Sequence, residues 1–172
     1  ENLKDLYGID EFYKNNFNEE TIYFIARCHF ELAKYDKAIQ KLLLLTAGYE
    51  NREPHSKLIR NAYFWLGETY YCKSLLNEAI KAYEVVLKYG TYSEKEKVLY
   101  SIGWALFEKG DLASKDASKK HFNLLLNDYP NTAFRLKTEL KLAEIEIEEG
   151  NSERGERIID ELKNTTMNDD FI

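Results

Sequence analysis

The chain has 172 residues with a formal net charge of −6, and 44% of its residues are hydrophobic. The acidic balance disfavours nucleic acid as a partner, because phosphate contacts require basic side chains. No apolar run approaches the roughly 18 to 20 residues that span a bilayer, so we expect no membrane insertion within this sequence. Two prolines and eight glycines leave little room for turn-rich β architecture, which favours one all-α domain over residues 1–172.

Residues 1–18 carry apolar side chains at helical spacing, and Asn18 is suited to cap the helix that follows. The apolar set is Leu3, Leu6, Ile9, Phe12 and Tyr13. We interpret this segment as half a repeat, namely the second helix of a hairpin whose first helix is absent. Because the sequence opens on Glu1 and leaves few residues after its last predicted helix, we expect a fragment of a longer chain or a processed domain.

Residues 19–59 predict the first complete helical hairpin. Small residues are expected where two helices cross closely, and Ala26 and Ala38 occupy these sites on the first and second helix. The polar stretch 49–57, which contains Pro54, predicts a lengthened turn before the next hairpin.

Residues 60–95 predict the second hairpin and contain the most informative phrase of the chain, Leu66-Gly67-Glu68-Thr69-Tyr70-Tyr71. A related phrase begins at Ile102 and places Gly103 36 residues after Gly67. A period of that size indicates stacked helical hairpins. In the second hairpin, Gly67 and Ala79 are the small residues at the crossing.

Residues 96–135 predict a third hairpin, with Gly103 on its first helix and Ser118 at the site that elsewhere holds alanine. The three lysines Lys115, Lys119 and Lys120 form a local basic cluster, which we interpret as a solvated helix face.

Residues 136–172 predict a fourth and degenerate hairpin, with Ala143 and Gly155 at its small sites. Glu139 and Glu146 fall at positions that should be apolar. Either this is a terminal repeat with a polar outer surface, as solenoids need, or the register shifts by one residue.

The second hairpin resembles the tetratricopeptide repeat family. Leu66-Gly67 and Tyr70 match the large residue, glycine and tyrosine of the family pattern, and Ala79 and Tyr83 match its alanine and aromatic residue. The resemblance implies a right-handed α-α superhelical solenoid of helical hairpins. It also implies a non-enzymatic scaffold or adaptor for protein–protein interaction.

In that family the fifth, ninth and twelfth positions of each first helix line the concave surface, and seven of the nine such residues in the first three repeats are aromatic here. The nine are Tyr23, Arg27, Phe30, Phe64, Glu68, Tyr71, Tyr100, Trp104 and Phe107. Rigid rings bury much area at low entropic cost, so this groove predicts capture of an extended peptide or an amphipathic helix. Arg27 and Glu68 are suited to fix its direction.

Two alternatives to this groove stay open. The aromatic side chains are also suited to packing between adjacent first helices, and the same surface could be filled by another part of the full chain or by a second copy. A structural spacer or self-assembly module of a larger complex is therefore the second functional hypothesis. A third is the docking arm of an enzyme whose catalytic domain lies outside this sequence.

The sequence contains no pattern that indicates catalysis or a cofactor. Cys28 and Cys72 fall at different positions of their repeats, so a disulfide is not expected. No spacing typical of a zinc site and no glycine-rich phosphate loop occurs. We therefore expect no enzyme activity, no catalytic residue, no metal and no cofactor.

The turn Asp128-Tyr129-Pro130-Asn131-Thr132-Ala133 resembles a turn in bacterial envelope tetratricopeptide proteins, such as the Tol-Pal-associated protein and the outer-membrane assembly lipoprotein. This likeness implies a periplasmic or envelope-associated scaffold that docks envelope or motility-machine proteins, with the cytoplasm as the alternative. The expected partner is a protein or peptide, and self-association is a further possibility.

Overall fold

The computed structural model of the protein describes residues 18–47, 54 and 56–169, with side chains described as far as Asn164. The predicted half repeat over 1–18 lies outside the described residues apart from Asn18, and so does most of the predicted turn over 49–57. All regular structure in the described part of the chain is α-helical, which confirms the predicted all-α class.

The described residues form eight helices in four consecutive hairpins. They are α1 (Glu19–Glu31), α2 (Tyr35–Thr46), α3 (Lys57–Cys72), α4 (Leu76–Tyr89), α5 (Tyr92–Lys109), α6 (Leu112–Asp128), α7 (Arg135–Glu148) and α8 (Ser152–Asp169). Helices that follow one another pack together, as α1 does on α2, α3 on α4 and α7 on α8. Helix α1 also packs on α3, so the first helices of these two hairpins are neighbours.

Polar side chains at three of the helix starts satisfy backbone N–H groups that have no partner within the helix. Asn18, Ser56 and Asp111 each accept a hydrogen bond from the N–H three residues on, at 2.8, 3.1 and 2.9 Å. The predicted cap at Asn18 is therefore confirmed. Such caps typically contribute about 1 kcal/mol to helix stability.

The turn inside each hairpin contains one residue in the left-handed region of φ. These residues are Ala33, Ser74, Gly110 and Gly150, with φ of 53°, 58°, 76° and 86°. Each lies seven residues after the small residue of its own first helix, namely Ala26, Gly67, Gly103 or Ala143. The constant interval is what one repeated helix–turn–helix unit would produce.

Two glycines allow bulky rings to reach the backbone of a neighbouring helix. A Cβ on Gly67 would lie 2.4 Å from the ring of Tyr83, and a Cβ on Gly103 would lie 2.3 Å from the ring of Phe122. Both rings are almost fully buried. At the third crossing the Ser118 hydroxyl donates a hydrogen bond to the Gly103 carbonyl at 2.7 Å, so serine serves there in place of alanine.

The chain divides into two compact units, Glu1–Val98 and Leu99–Ile172, and the division falls within α5. The core of the first unit is mainly apolar, with Leu42, Ile59 and Val86 among its buried residues. The second unit has an apolar cluster around Phe122 and Ile145. The single domain over 1–172 and its repeat boundaries stay a prediction.

Candidate functional site

The first unit contains a cleft of ≈ 480 Å³ that is bordered by α1, α3, the end of α4 and the beginning of α5. Three of the predicted groove residues line it: Tyr23, Arg27 and Phe64. Its charged lining residues are Arg27, Lys57, Arg60, Glu94 and Lys97. Two helix N-termini, those of α3 and α5, therefore contribute residues to the same cleft.

Trp65 organises the aromatic wall of the cleft, and it lies outside the predicted groove positions. Its ring meets Phe64 edge to face at 5.5 Å and Phe30 edge to face at 5.0 Å between centroids. The Arg27 guanidinium lies 3.4 Å from the Trp65 ring centroid and also pairs with Glu31 at 3.1 Å. These contacts hold the aromatic side chains in place before any ligand arrives.

The cleft is cationic although the chain is acidic. Four of its lining side chains are basic and one is acidic, which leaves a formal charge of +3 against −6 for the whole sequence. Lys57 and Lys97 are exposed and form no ion pair with any described residue. Among the described residues, these two ammonium groups of the cleft have no acidic partner.

Glu94 holds the polar side of the cleft together and also caps α5. Its Oε2 accepts hydrogen bonds from the Thr91 N–H at 2.6 Å and from Arg60 Nε at 3.2 Å. The Glu94 N–H lies 3.4 Å from the Thr91 hydroxyl, so the two residues form a capping box. Burial opposes ionisation, but the hydrogen bonds from Thr91 and the Arg60 charge bring the pKa of Glu94 below its usual value.

The other predicted residues of the first unit lie outside the lining of this cleft. Phe30 packs on Trp65, as described above. Glu68 accepts a hydrogen bond from the Tyr83 hydroxyl at 2.6 Å, which ties α3 to α4. Tyr71 lies in the last turn of α3 and is partly buried.

In the second unit, the predicted aromatic residues are covered by the chain itself. Tyr100 stacks on Phe134 with 4.4 Å between centroids and an interplanar angle of 16°. The Lys141 ammonium lies 4.3 Å from the Trp104 ring centroid and 4.1 Å from that of Phe107. Lys141 is buried and also pairs with Glu144. This arrangement corresponds to the alternative in which the aromatic side chains pack between helices.

The fourth hairpin contains a buried carboxylate where the sequence pattern requires an apolar residue. Glu146 is 5% exposed and accepts a hydrogen bond from Asn151 Nδ2 at 3.0 Å. Its Oε1 lies 3.5 Å from Arg154 and 3.9 Å from Lys119. A buried charge is tolerated only with such partners, so Glu146 is compatible with the predicted register.

The interpretation of the basic cluster on α6 as a solvated face was wrong for two of its three lysines. Lys119 pairs with Glu149 at 2.5 Å, and Lys115 pairs with Glu148 at 2.7 Å. The hydrogen bond from Lys119 to Glu149 raises the pKa of Lys119. These residues join α6 to α7 and to the turn that follows it.

The described residues contain no group of three or more His, Cys, Asp or Glu side chains that could hold a metal ion. Cys28 and Cys72 are free and exposed. None of the helices, as far as they are described, is long and apolar enough to cross a membrane.

No family model matches the chain, and no curated protein matches it. The tetratricopeptide resemblance therefore depends on the residues and intervals of this chain alone.

Proposed function

We propose that this protein is a non-enzymatic scaffold that binds a polypeptide, and that the cleft of the first unit is its binding site. The observation that carries this proposal is a ≈ 480 Å³ cleft that combines a prearranged aromatic wall with two lysines that have no acidic partner among the described residues. Rings already held by one another lose little freedom on binding, so their contact area contributes to affinity.

The polar groups of the cleft favour recognition over chemistry. Glu94 is the acidic residue of the lining, and it is already engaged by Thr91 and Arg60. A general base must be within reach of a proton on the substrate and have a suitably tuned pKa. A carboxylate whose pKa is lowered by these partners is better suited to holding Arg60 in position.

We further propose that the four hairpins form the right-handed superhelical solenoid of the tetratricopeptide family. The constant seven-residue interval from small residue to turn supports this architecture. Repeats of this kind bind partners on extended surfaces. Six residues of the predicted groove lie outside the cleft lining and then contribute to the extended surface or to packing: Phe30, Glu68, Tyr71, Tyr100, Trp104 and Phe107.

One observation favours a structural spacer as a second candidate. Lys141 covers Trp104 and Phe107, so these aromatic residues of the second unit contribute to packing already. A periplasmic or envelope location, with the cytoplasm as the alternative, stays a proposal that depends on the resemblance of the turn at 128–133.

The proposed function is tested with variants that alter the cleft and leave the core intact. Ser93→Trp places a bulky ring on an exposed residue that lines the cleft, and Phe64→Ala removes part of the aromatic wall. Leu32→Ala is the matched control, because Leu32 is a 62% exposed apolar residue of the same unit that lies outside the lining.

Each protein is immobilised, exposed to a lysate of the parent organism and analysed by quantitative mass spectrometry. We expect polypeptides that are retained by the unmodified protein and by Leu32→Ala but lost with both cleft variants. Circular dichroism and thermal melts establish that every variant is folded. Recovery of the same polypeptides by all four proteins would contradict a binding site in the cleft.

A further inference from the structure

We propose that the cleft recognises an acidic segment of an extended polypeptide, an inference that rests on the proposed function. Carboxylates of the segment pair with Lys57 and Lys97. An apolar side chain of the same segment packs against Tyr23 and Phe64.

Two basic residues of the cleft have an acidic partner, and two have none among the described residues. Arg27 is paired with Glu31 and lies on the Trp65 ring. Arg60 is paired with Glu94 and donates to the Pro54 carbonyl at 3.3 Å. Lys57 and Lys97 are left without an acidic partner among the described residues, so they are the groups available to a ligand.

The position of Lys57 strengthens the attraction for an anion. Lys57 is the first residue of α3, a helix of 16 residues, whereas Lys97 lies in the second turn of α5. The N-terminal end of a helix carries a partial positive charge that falls off within the first turn. Lys57 therefore adds to the field of the α3 dipole, and Lys97 contributes its own charge.

The lysines, rather than the engaged arginines, are the charges that suit single carboxylates. A planar guanidinium presents two parallel N–H donors to one carboxylate or phosphate, whereas an ammonium group is a point charge. Both guanidinium groups here already donate to residues of the chain. The lysines offer compact point charges, which suit single carboxylates spaced along a peptide.

The charge of the whole molecule sets the kind of acidic ligand. A long phosphate backbone would meet the net −6 surface beyond the cleft and be repelled. A short acidic segment with apolar side chains places its charges against the cationic cleft and does not extend over the acidic surface beyond it. Opposite potentials of this kind mainly raise association rates and select the partner.

The test is a selection from a displayed library of random 12-residue peptides against the unmodified protein. The same selection is made against Lys57→Gln/Lys97→Gln and against the cleft-blocking Ser93→Trp. The matched control is Lys34→Gln/Lys37→Gln, which changes the net charge equally at two exposed lysines of the same unit that lie outside the cleft lining.

We expect enriched peptides with more Asp and Glu than the input library, together with at least one aromatic or aliphatic residue. By fluorescence anisotropy, these peptides should bind the Lys57→Gln/Lys97→Gln protein about tenfold more weakly, the scale expected for loss of two exposed ion pairs. The control should bind within about twofold of the unmodified protein. Added salt should weaken binding to the unmodified protein more than to the double variant.

The outcomes separate the inference from the function on which it rests. Peptides that depend on the open cleft but show no acidic bias would overturn the inference and leave the proposed function standing. Equal enrichment by Ser93→Trp would overturn both. A phosphoserine version of the best peptide that binds more than about tenfold tighter would reassign the ligand to phosphopeptides. Sedimentation equilibrium addresses self-association: a dimer that dissociates in the double lysine variant would assign the cleft to a second copy.

Discussion

The two units are built from the same kind of helical hairpin, but the aromatic residues of its first helix serve different purposes in each. In the first unit, aromatic residues of α1 and α3 border a cleft whose lysines have no acidic partner among the described residues. In the second unit, the aromatic residues of α5 are covered by Phe134 and by the Lys141 ammonium. Equivalent repeat positions thus become a candidate surface in one unit and packing in the other, and the difference comes from what lies opposite the rings.

Both units bury polar side chains and contain ion pairs of limited exposure. The first unit buries Lys41, Thr46 and Thr69, and the second buries Ser118, Thr138 and Glu146 among others. The pairs Arg60–Glu94 and Lys119–Glu149 are both largely shielded, whereas 80% of the Asp36 side chain is accessible in its pair with Lys73. The shielded pairs should therefore contribute more to stability than the Lys73–Asp36 pair.

The largest expected effect concerns Phe122, which is fully buried on Gly103 and belongs to the apolar cluster of the second unit. Phe122→Ala should lower the free energy of unfolding by about 3–5 kcal/mol, because it removes a large ring and leaves a cavity. Urea denaturation followed by circular dichroism measures this. Leu124→Ala, on the exposed face of the same helix, should cost less than about 1 kcal/mol.

Tyr83 is the counterpart of Phe122 in the first unit, since its ring lies on Gly67 in the same way. Tyr83→Ala should cost a similar amount and also release Glu68 from its hydrogen bond. If Phe122→Ala and Leu124→Ala had equal effects, the packing of a ring on the glycine of a neighbouring helix would not be a main source of stability.

A second prediction tests the contrast in polar contacts. Lys119→Met removes the partner of Glu149 and one of the cations near Glu146, whereas Lys73→Met removes the exposed pair with Asp36. We expect losses of about 2 kcal/mol for Lys119→Met and below about 1 kcal/mol for Lys73→Met. Equal losses in urea denaturation would show that burial does not distinguish the two ion pairs.

Sequence reasoning recovered the helical hairpins because their determinants are local. Small residues recur at repeat spacing, at Ala26, Gly67, Gly103 and Ala143. This recurrence can be seen in the sequence alone, and it marks where two helices cross closely. The serine at position 118 was also located correctly, and its hydrogen bond to the Gly103 carbonyl explains why it is tolerated.

The residues that decide the surface could not be found in the same way. Trp65 lies beside Phe64 at a position that the family pattern does not assign to the groove. Lys141 meets Trp104 only because α7 approaches α5, and a lysine in a charged helix reads as solvated. The cationic cleft assembles Lys57 and Lys97 from separate helices of an acidic chain, so neither composition nor a local charge run indicates it.

A third prediction concerns the polar side of the cleft in the first unit. The folded pKa of Glu94 lies below its unfolded value, so the carboxylate contributes stability above the unfolded pKa of about 4.3. That contribution is lost as the pH falls through the folded pKa. Glu94→Gln should therefore cost about 1–2 kcal/mol at pH 7, and the difference from the unmodified protein should shrink below about pH 4.

Urea denaturation at several pH values measures this difference. Glu84→Gln is the matched control, because Glu84 is an exposed glutamate of the same unit with no hydrogen bond or ion pair among the described residues. A deficit of Glu94→Gln that stayed constant down to pH 3 would contradict a role of the charge in the capping box and the Arg60 pair.

A fourth prediction would make the second unit resemble the first. Lys141→Met keeps the length of the side chain but removes the ammonium from the Trp104 and Phe107 rings, at an expected cost of about 1 kcal/mol. With Trp65→Phe in the background, Trp104 is the remaining tryptophan, so acrylamide quenching reports on its exposure. Quenching should increase with Lys141→Met and stay constant with the exposed control Lys137→Met. An unchanged response to both would mean that Lys141 does not shield the ring.

The smallest expected effect concerns the turns inside the hairpins. The units differ there in whether the residue with positive φ is glycine. The first unit places Ala33 and Ser74 in the left-handed region of φ, and the second places Gly110 and Gly150 there. A side chain in this conformation is strained, whereas glycine adopts it readily but loses more backbone freedom on folding. Ser74→Gly should therefore stabilise the protein by only about 0.5–1 kcal/mol, the net of these opposed terms.

The reverse change, Gly110→Ala, isolates the same strain, because the nearest atom to an added Cβ is the Glu108 carbonyl oxygen at 4.0 Å. No steric conflict accompanies it, so the expected loss of about 1 kcal/mol comes from the backbone alone. Thermal melts of Ser74→Gly, Gly110→Ala and the combined variant measure both effects. Because the turns belong to different hairpins, the two changes should nearly cancel in the combined protein. Destabilisation by Ser74→Gly would mean that the serine side chain, and not the backbone, determines the preference at that turn.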